Sequence, residues 1–209
     1  MREVIPIITG DVTIPNESDL PFTNLESVTD ETTVKAVPDY FQGIRPSGID
    51  KKVRHDLNNT IIPTKHANAP ALPNFFLEVK GPNGEAHAQV CYDGAHGARA
   101  MHALQNYGEI EPIYDGNAYT YSTTYHTATG TLQLYAHHLT APAATGGRPH
   151  YYMTQLKSYA LTCDRETFVQ GATALRNLMD LAKRHRDLFF QAANAKGSQR
   201  ASHIAKSSK

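Results

Sequence analysis

Two stretches in the second half of the chain alternate apolar or aromatic residues with polar ones, at the period of two expected of half-buried strands. They are "AYTYSTTYHT" (residues 118–127) and "GTLQLYAHHLT" (residues 130–140). One side of the first carries Tyr119, Tyr121, Thr123 and Tyr125, and one side of the second carries Leu132, Leu134 and Ala136. The "ATGTL" between them is typical of a tight turn. The pattern predicts a β-hairpin.

Three further segments have strand character. "NFFLEVKG" (residues 74–81) is rich in aromatic and branched residues and stops at a glycine. "HYYMTQLKSYALT" (residues 150–162) follows a loop rich in Gly and Pro, and "EVIPII" (residues 3–8) predicts one short strand near the start.

Helical periodicity marks three other segments. Ile49, Val53, Leu57 and Ile61 recur every four residues, which predicts a helix capped by Ser47. Residues 85–106 are rich in Ala and predict a second helix. Its Gly94 and Gly97 each cost about 1 kcal/mol of helix propensity, so we expect close packing against a sheet. A long amphipathic helix is predicted from about Asp164, with these residues on one side: Phe168, Ala172, Leu175, Leu178, Met179, Ala182 and Phe189.

The order of elements predicts an α/β fold with a mixed central sheet flanked by helices. A chain of 209 residues suits one well-packed domain. We place that domain at residues 34–192. Residues 1–33, rich in Pro, Thr and acidic residues, predict an irregular acidic arm, and residues 193–209 predict a disordered basic tail.

Composition limits the possible functions. Lys plus Arg and Asp plus Glu number 20 each, which leaves no overall positive charge to attract nucleic acid. Two cysteines, Cys91 and Cys163, lack the paired spacing of a zinc site, and we expect both to be buried. Neither a membrane span nor a secretory signal is visible, so we expect an intracellular protein, with the nucleus as a candidate compartment.

The strand "NFFLEVKG" carries a Glu and a Lys near its end. Residues two apart in a strand share a face, so Glu78 and Lys80 project together, while Leu77 and Val79 face the opposite side. A half-buried ion pair is one interpretation of this arrangement. The alternative is a catalytic pair, which the neighbouring motifs favour.

These motifs are "PDYFQGIRP" (residues 38–46), "LPNFFLEVKGPNG" (72–84) and "YDGAHGARAM" (92–101), with Gln89 in "EAHAQVCY". An Asp at one strand end, Glu-x-Lys on the next strand and Gln on the following helix together resemble the PD-(D/E)xK nuclease superfamily. The motifs are most similar to a group of fungal domains assigned to that fold. The resemblance covers about residues 38–190 and implies a restriction-endonuclease-like sheet.

The resemblance implies a metal-dependent nuclease site. Asp39, Glu78 and the Val79 carbonyl would hold Mg²⁺ or Mn²⁺, because these ions prefer oxygen ligands and keep several waters. Lys80 would orient or deprotonate the attacking water, and Gln89 would hold the water or a phosphate. Tyr92 would support the site from the same helix. Asp93 and Arg99 lie on that helix too and could contact a backbone phosphate or the catalytic residues; the alternative is a carboxylate at a helix N-terminus and a surface arginine.

The sequence departs from the superfamily pattern at two points. Asp39 precedes Glu78 by 39 residues, with a predicted helix between them. Asn74 also follows a proline, so it competes with Asp39 for the place of the motif's acidic residue. The Tyr119, Tyr121 and Tyr125 stripe either stacks bases or forms a sheet face covered by a helix, and we favour the helix-covered face.

We therefore predict metal-dependent hydrolysis of phosphodiester bonds in nucleic acid, with DNA the favoured substrate. A homodimer is a candidate assembly, because symmetric cutting of duplex DNA favours one. The first alternative is a catalytically inactive copy of the fold that serves as a binding or assembly module, which the neutral net charge favours. The second is an enzyme domain of a larger toxin or genome-defence protein.

Overall fold

The computed structural model describes residues 4–29, 35–81 and 87–207. The helices are α1 (Val4–Thr9), α2 (Lys51–Asp56), α3 (Asn58–Ile61), α4 (His87–Gln105) and α5 (Arg165–Ser207), with a 3₁₀ turn at Pro46–Gly48. The strands are β1 (Asn16–Glu17), β2 (Tyr40–Ile44), β3 (Ala71–Lys80), β4 (Thr120–His126), β5 (Thr131–Thr140) and β6 (His150–Ala160).

The six strands form one sheet in chain order, β1 to β6. Strands β3 and β4 pair in parallel, and every other neighbouring pair is antiparallel. A parallel pair requires a crossover connection, and α4 supplies it. The predicted mixed α/β sheet, the β4–β5 hairpin and the strand at residues 150–160 are therefore confirmed. Strand β3 begins at Ala71, three residues before the predicted start.

The sheet separates two layers of helix. Alternate residues of β3, among them Leu77 and Val79, pack with Leu175 and Met179 of α5 in the largest apolar cluster. Phe76 points the other way and joins Phe41 and Phe22 in a smaller cluster on the α4 side. Glu78 shares the α4 side with Phe76, so the charges of this strand face α4.

Helix α4 lies unusually close to the sheet, as its glycines predict. A Cβ placed on Gly94 would come within 2.1 Å of the His137 ring, and one on Gly97 within 2.6 Å of Thr120 Cγ2. Real Cβ contacts are longer than this, so only glycine fits at either position. The cost of glycine in a helix is offset by this close approach to the sheet.

The predicted strand at "EVIPII" is wrong, because residues 4–9 form helix α1. Pro6 is tolerated there since a proline in the first helical turn removes no intrahelical hydrogen bond. Ile8 packs into the core beside Leu175 of α5, and Ile7 is exposed. A helix of this length shows no second turn of periodicity, so the sequence pattern did not distinguish it from a strand.

The predicted cap at Ser47 is also wrong. Asp50 caps α2, and its carboxylate accepts hydrogen bonds from the backbone N–H groups of Lys52 and Val53. Ser47 lies in the 3₁₀ turn before it. The single helix predicted from the spacing of Ile49 to Ile61 is divided at Leu57 into α2 and α3.

The described residues of both terminal segments contain regular secondary structure. The predicted arm, residues 1–33, contributes α1 and strand β1, which pairs with β2. Helix α5 continues past residue 192, where a disordered tail was predicted. Ala193 is buried, and Asn194 accepts a hydrogen bond from the Asp50 backbone N–H at 2.8 Å. These contacts to α2 hold the helix beyond the predicted boundary.

Both cysteines are exposed, contrary to the prediction that they would be buried. Cys91 lies on the outward side of α4, next to the buried Val90, and Cys163 lies in the turn after β6. Within the ranges that the structure describes, no helix is both long and apolar enough to cross a membrane.

Candidate functional site

The pairing of β2 with β3 brings the two motif carboxylates together. Tyr40 at the start of β2 lies opposite Leu77 near the end of β3. Asp39 immediately precedes Tyr40, and Glu78 immediately follows Leu77, so the antiparallel register places both acids at one end of the strand pair. Helices α2 and α3 lie at the opposite end, between the end of β2 and the start of β3.

Asp39 and Glu78 are joined by hydrogen bonds that cross between the strands. The Asp39 backbone N–H donates to Glu78 Oε1 at 2.8 Å. The Val79 backbone N–H donates to Asp39 Oδ2 at 2.7 Å. Each carboxylate is therefore oriented by the backbone of the other strand, and the pair is held without relying on side-chain contacts alone.

Lys80 lies between the two acids. Its Nζ is 2.9 Å from Glu78 Oε2 and 3.7 Å from Asp39 Oδ2. Partial burial acts to lower the pKa of Lys80, but the Glu78 and Asp39 carboxylates outweigh it and raise the pKa above its usual value. Lys80 is therefore an ammonium ion and a hydrogen-bond donor in this arrangement.

Gln89 completes the group from the first turn of α4. Its Oε1 accepts a hydrogen bond from Lys80 Nζ at 2.9 Å, and its Nε2 donates to the Val37 carbonyl at 2.7 Å. The amide thus connects the helix to β3 and to the residues before β2. The structure brings Asp39, Glu78, Lys80 and Gln89 together in contact.

Glu78 is fully buried, whereas the side chain of Asp39 is 28% exposed. Burial raises the pKa of Glu78 to about 7, against the opposing effect of the hydrogen bond to Lys80. A carboxyl with this pKa is close to half protonated at neutral pH. It is also a group whose protonation an approaching cation would change.

Asp93 of α4 lies behind Glu78 and is also fully buried. Neither of its carboxylate oxygens has a hydrogen-bond partner among the described residues. Burial and the nearby charges of Glu78 and Asp39 raise its pKa well above the usual value. A proton on Asp93 would let one of its two oxygens donate a hydrogen bond to Glu78. The interpretation of Asp93 as a carboxylate at a helix N-terminus does not fit this burial.

Tyr92 and Arg99 contact other parts of the chain. Tyr92 packs against the Phe22–Phe41–Phe76 cluster, with its ring 4.8 Å from that of His96. Arg99 donates to the backbone carbonyls of Ser27 and Glu26, which fastens the N-terminal segment to α4. Tyr92 thus supports the site only through packing, and the contacts of Arg99 are structural.

Asn74 belongs to a different cluster. Its Nδ2 donates to the carbonyls of Tyr119 and Ala182 at 2.9 and 2.8 Å, and its Oδ1 accepts from the guanidinium of Arg186. Arg186 is 1% exposed, and burial lowers its pKa to about 10. Asn74 therefore joins β3, β4 and α5, and Asp39 is the residue that meets Glu78.

Sequence reasoning missed a second buried polar contact beneath α4. Ser122 of β4 lies 2.6 Å from Nε2 of His137 on β5, and both side chains are buried. Burial lowers the pKa of His137 to about 3, so the ring is neutral. The signal in the sequence was Gly94, whose missing side chain leaves the space that the His137 ring occupies.

The tyrosine stripe of β4 is covered by α5, as favoured from the sequence. Tyr121 is buried in the main core, and its ring stacks on His185 at 6.0 Å. Tyr119 contacts Phe189 edge to face at 4.7 Å. These rings are used for packing and are not available to stack on bases.

A cavity of about 870 Å³ opens beside Asp39 and Val79. Helix α1 and the segment around β1 form its other walls, which include Glu17 and Asp19. The cavity gives the Asp39 side chain access to solvent. It also gathers three carboxylates, those of Glu17, Asp19 and Asp39, around one space.

The donors present suit a hydrated divalent ion of the magnesium type. In the described part of the chain, no group of three or more His, Cys, Asp and Glu side chains is arranged to hold a metal. Asp39 and Glu78 offer two carboxylates that hydrogen bonds from the backbone hold together. Mg²⁺ binds through one or two carboxylates and retains waters, for which the adjoining cavity has room.

Comparison of the chain with protein-family models, with curated proteins and with solved structures gave no match. The function must therefore be argued from the geometry of the site.

Proposed function

We propose that this chain is a metal-dependent nuclease of the PD-(D/E)xK type, with its centre at Asp39, Glu78 and Lys80. The observation that carries the proposal is the contact group itself. Two carboxylates from adjacent strands meet one lysine, and their orientations are set by hydrogen bonds from the backbone. A simple surface ion pair would need neither the burial of Glu78 nor the second carboxylate.

The order of the elements also supports a restriction-endonuclease-like fold. Asp39 immediately precedes one strand, Glu78 and Lys80 end its antiparallel neighbour, and Gln89 lies on the helix that follows. That helix leads into a strand parallel to β3. The long separation of Asp39 from Glu78 is accommodated by α2 and α3 at the far end of the strand pair.

Each residue has a distinct role in this proposal. Asp39 and Glu78, with the Val79 carbonyl, would hold Mg²⁺ or Mn²⁺, which when bound polarises a phosphoryl oxygen and lowers the pKa of water. Lys80 donates hydrogen bonds and, as an ammonium, stabilises negative charge developing on the phosphate. Gln89 fixes the position of Lys80 through its side-chain oxygen. Asp93 keeps Glu78 in place from behind.

DNA is the favoured substrate, and a homodimer would suit symmetric cutting of a duplex. The formal net charge of zero means that attraction must come from local groups rather than from the whole surface. Lys80 and a bound divalent ion would supply positive charge at the centre. The proposal therefore predicts binding that weakens with added salt.

The second candidate function is a catalytically inactive copy of the fold that acts as a binding or assembly module. One observation favours it: Glu78 is fully buried, and Lys80 already neutralises it at 2.9 Å. An ion would have to displace that contact. The acidic lining of the larger cavity also disfavours a phosphate on that side.

The deciding experiment measures cutting of supercoiled plasmid and of single-stranded DNA with Mg²⁺, with Mn²⁺ and with EDTA. We would compare the wild type with Glu78→Gln and Lys80→Ala. Glu166→Gln and Lys52→Ala are matched controls, because both side chains make only local pairs on helix surfaces. Circular dichroism would establish that every variant is folded.

We expect the two site variants to lose at least about 100-fold in rate and the two controls to retain it. The absence of metal-dependent cutting by a folded wild type would reject the nuclease. Equal cutting by wild type and both site variants would also reject it, since the activity would then arise elsewhere or from a contaminant.

A further inference from the structure

A second cavity, of about 350 Å³, adjoins Lys80 on the side away from Asp39. Its lining comes from the ends of β3, β4 and β5 and from the first residue of α4. The lining residues are Lys80, His87, Thr124, Tyr125, His126, Gln133 and Tyr135.

The register of the sheet places this cavity next to the candidate catalytic group. Glu78 pairs with Thr124 of β4, which pairs with Gln133 of β5. Two residues further along β3, Lys80 pairs with His126 of β4. Adjacent strands are about 4.8 Å apart, so a ligand held at Lys80 is within reach of the His126 imidazole.

The cavity beside Lys80 and the larger cavity beside Asp39 differ in charge. Glu17, Asp19 and Asp39 line the larger one, whereas no acidic residue is among the lining residues of the smaller one. The smaller cavity instead offers the Lys80 ammonium and the imidazoles of His87 and His126. Because a phosphodiester carries a negative charge, it is attracted to the smaller cavity and repelled by the larger one.

The walls of the smaller cavity also suit a nucleoside. The His87 ring meets the Tyr135 ring edge to face at 5.7 Å, which forms an aromatic wall. Thr124 Oγ1 donates to Gln133 Oε1 at 3.2 Å, an arrangement that orients the Gln133 amide. An oriented amide can donate to or accept from the edge of a base, and an aromatic surface can stack on its face.

We propose that this cavity binds one unpaired nucleotide next to the phosphate that Lys80 contacts. The proposal rests on the proposed nuclease function and names its substrate class, single-stranded or locally unpaired nucleic acid. A volume of about 350 Å³ lies at the small end of ligand pockets and accommodates one nucleotide rather than a duplex. A base from a duplex must leave the stack before it can enter.

The test is binding in EDTA, where no cutting occurs. Fluorescence anisotropy of a labelled 12-nucleotide single strand, and of a duplex of the same sequence, would be measured with the wild type, His87→Ala and His126→Ala. His55→Ala is the matched control, because His55 is an exposed histidine on α2, outside the lining of the smaller cavity. Thermal melts would establish equal folding.

We expect the single strand to bind more tightly than the duplex. Each site variant should reduce the affinity for the single strand about five- to tenfold. Equal binding by all four proteins, or the absence of binding by the folded wild type, would overturn the proposal. If His87→Ala and His126→Ala lose affinity for the single strand and His55→Ala does not, the nucleotide site is supported even if the protein fails to cut DNA. The binding assay can therefore reject the nucleotide site, and the cutting assay the nuclease function, each without the other.

A competition experiment separates a nucleotide site from a phosphate site. Thymidine 5′-monophosphate should displace the labelled strand at lower concentration than inorganic phosphate does, because only the nucleotide reaches the aromatic wall. Equal competition by the two would show that the cavity selects phosphate alone, which would overturn the nucleotide assignment.

Discussion

Asp39 donates its backbone N–H to the carboxylate of Glu78 over 2.8 Å, although the two residues are 39 positions apart in the chain. Asp39 in return accepts from the backbone next to Glu78. Together with Lys80, these bonds form a compact group in which every charge has an opposite neighbour.

Lys80→Met should show whether Lys80 and a metal ion compete for the carboxylates of Glu78 and Asp39. Without the ammonium, Glu78 and Asp39 repel each other, and we expect the free energy of unfolding at pH 8 to fall by about 2–3 kcal/mol. We also expect Mn²⁺ to raise the melting temperature of this variant more than that of the wild type. Differential scanning fluorimetry measures both effects.

Lys52→Met is the control for this substitution, because Lys52 pairs with Asp56 on the surface of α2. Adding Glu78→Gln to Lys80→Met should abolish the extra stabilisation by Mn²⁺. If Mn²⁺ stabilises all these proteins equally, the ion binds at another place, and the assignment of Asp39 and Glu78 as ligands is wrong.

Asp93→Asn should change how stability depends on pH. The pKa of Asp93 is raised by burial, so the folded chain retains a proton that the unfolded chain releases near its usual pKa of 3.8. The folded wild type therefore loses stability as pH rises from about 4 through the raised pKa, by about 1.4 kcal/mol for each unit of that rise. Asparagine carries no such proton.

Urea denaturation at pH 4, 6 and 8 measures this effect. We expect the stability of Asp93→Asn relative to the wild type to increase from pH 4 to pH 8. Asp180→Asn on α5 is the control, as Asp180 is exposed, and it should show no such trend. A pH-independent difference between Asp93→Asn and the wild type would contradict the assignment of a protonated Asp93.

Gly94→Ala and Gly97→Ala should both destabilise the fold, although alanine is the better helix former. The new methyl groups would meet the His137 ring and Thr120, which must move or push α4 from the sheet. We expect each to lower the free energy of unfolding by about 1–3 kcal/mol. Gly81→Ala is the control in the same urea titration, because a Cβ at Gly81 meets no atom of the described residues within 4 Å.

Asn74→Ala should reduce stability without removing activity. It leaves the Tyr119 and Ala182 carbonyls without their donor and Arg186 without its acceptor, at a cost of about 3 kcal/mol. Adding Arg186→Met should recover part of this loss, which a double-mutant cycle would measure. Loss of cutting by folded Asn74→Ala would instead place Asn74 at the catalytic centre.

The sequence predicted the elements with long, regular patterns. Strands β4 and β5 follow from alternation and α5 from its helical period, whereas α4 and β3 follow from composition, and the close packing of α4 follows from Gly94 and Gly97. Short elements were not predicted correctly. Helix α1 has too few residues to show a helical period, and the two-residue β1 forms only through pairing with β2. The end of α5 depends on tertiary contacts to Asp50 that no local pattern reveals.

The same distinction applies to the site. Glu78, Lys80 and Gln89 were identified from motifs, and the structure places Glu78 and Lys80 in contact with Asp39 and Gln89 in contact with Lys80. The burial of Asp93 was missed, although Asp93 lies four residues before Gly97 and therefore shares the face of α4 that packs on the sheet. The structural role of Arg99 was missed because its partners are backbone carbonyls of Glu26 and Ser27, which carry no sequence signal.

The position of α2 and α3 has a consequence for how this architecture can vary. They connect the end of β2 to the start of β3, at the opposite end of the strand pair from Asp39 and Glu78. Lengthening or replacing that connection would leave the register of the two strands, and so the meeting of the carboxylates, unchanged. The number of residues between the two acids can therefore change without separating them. Searches for related chains should require the pairing of the two strands and allow the spacing to vary.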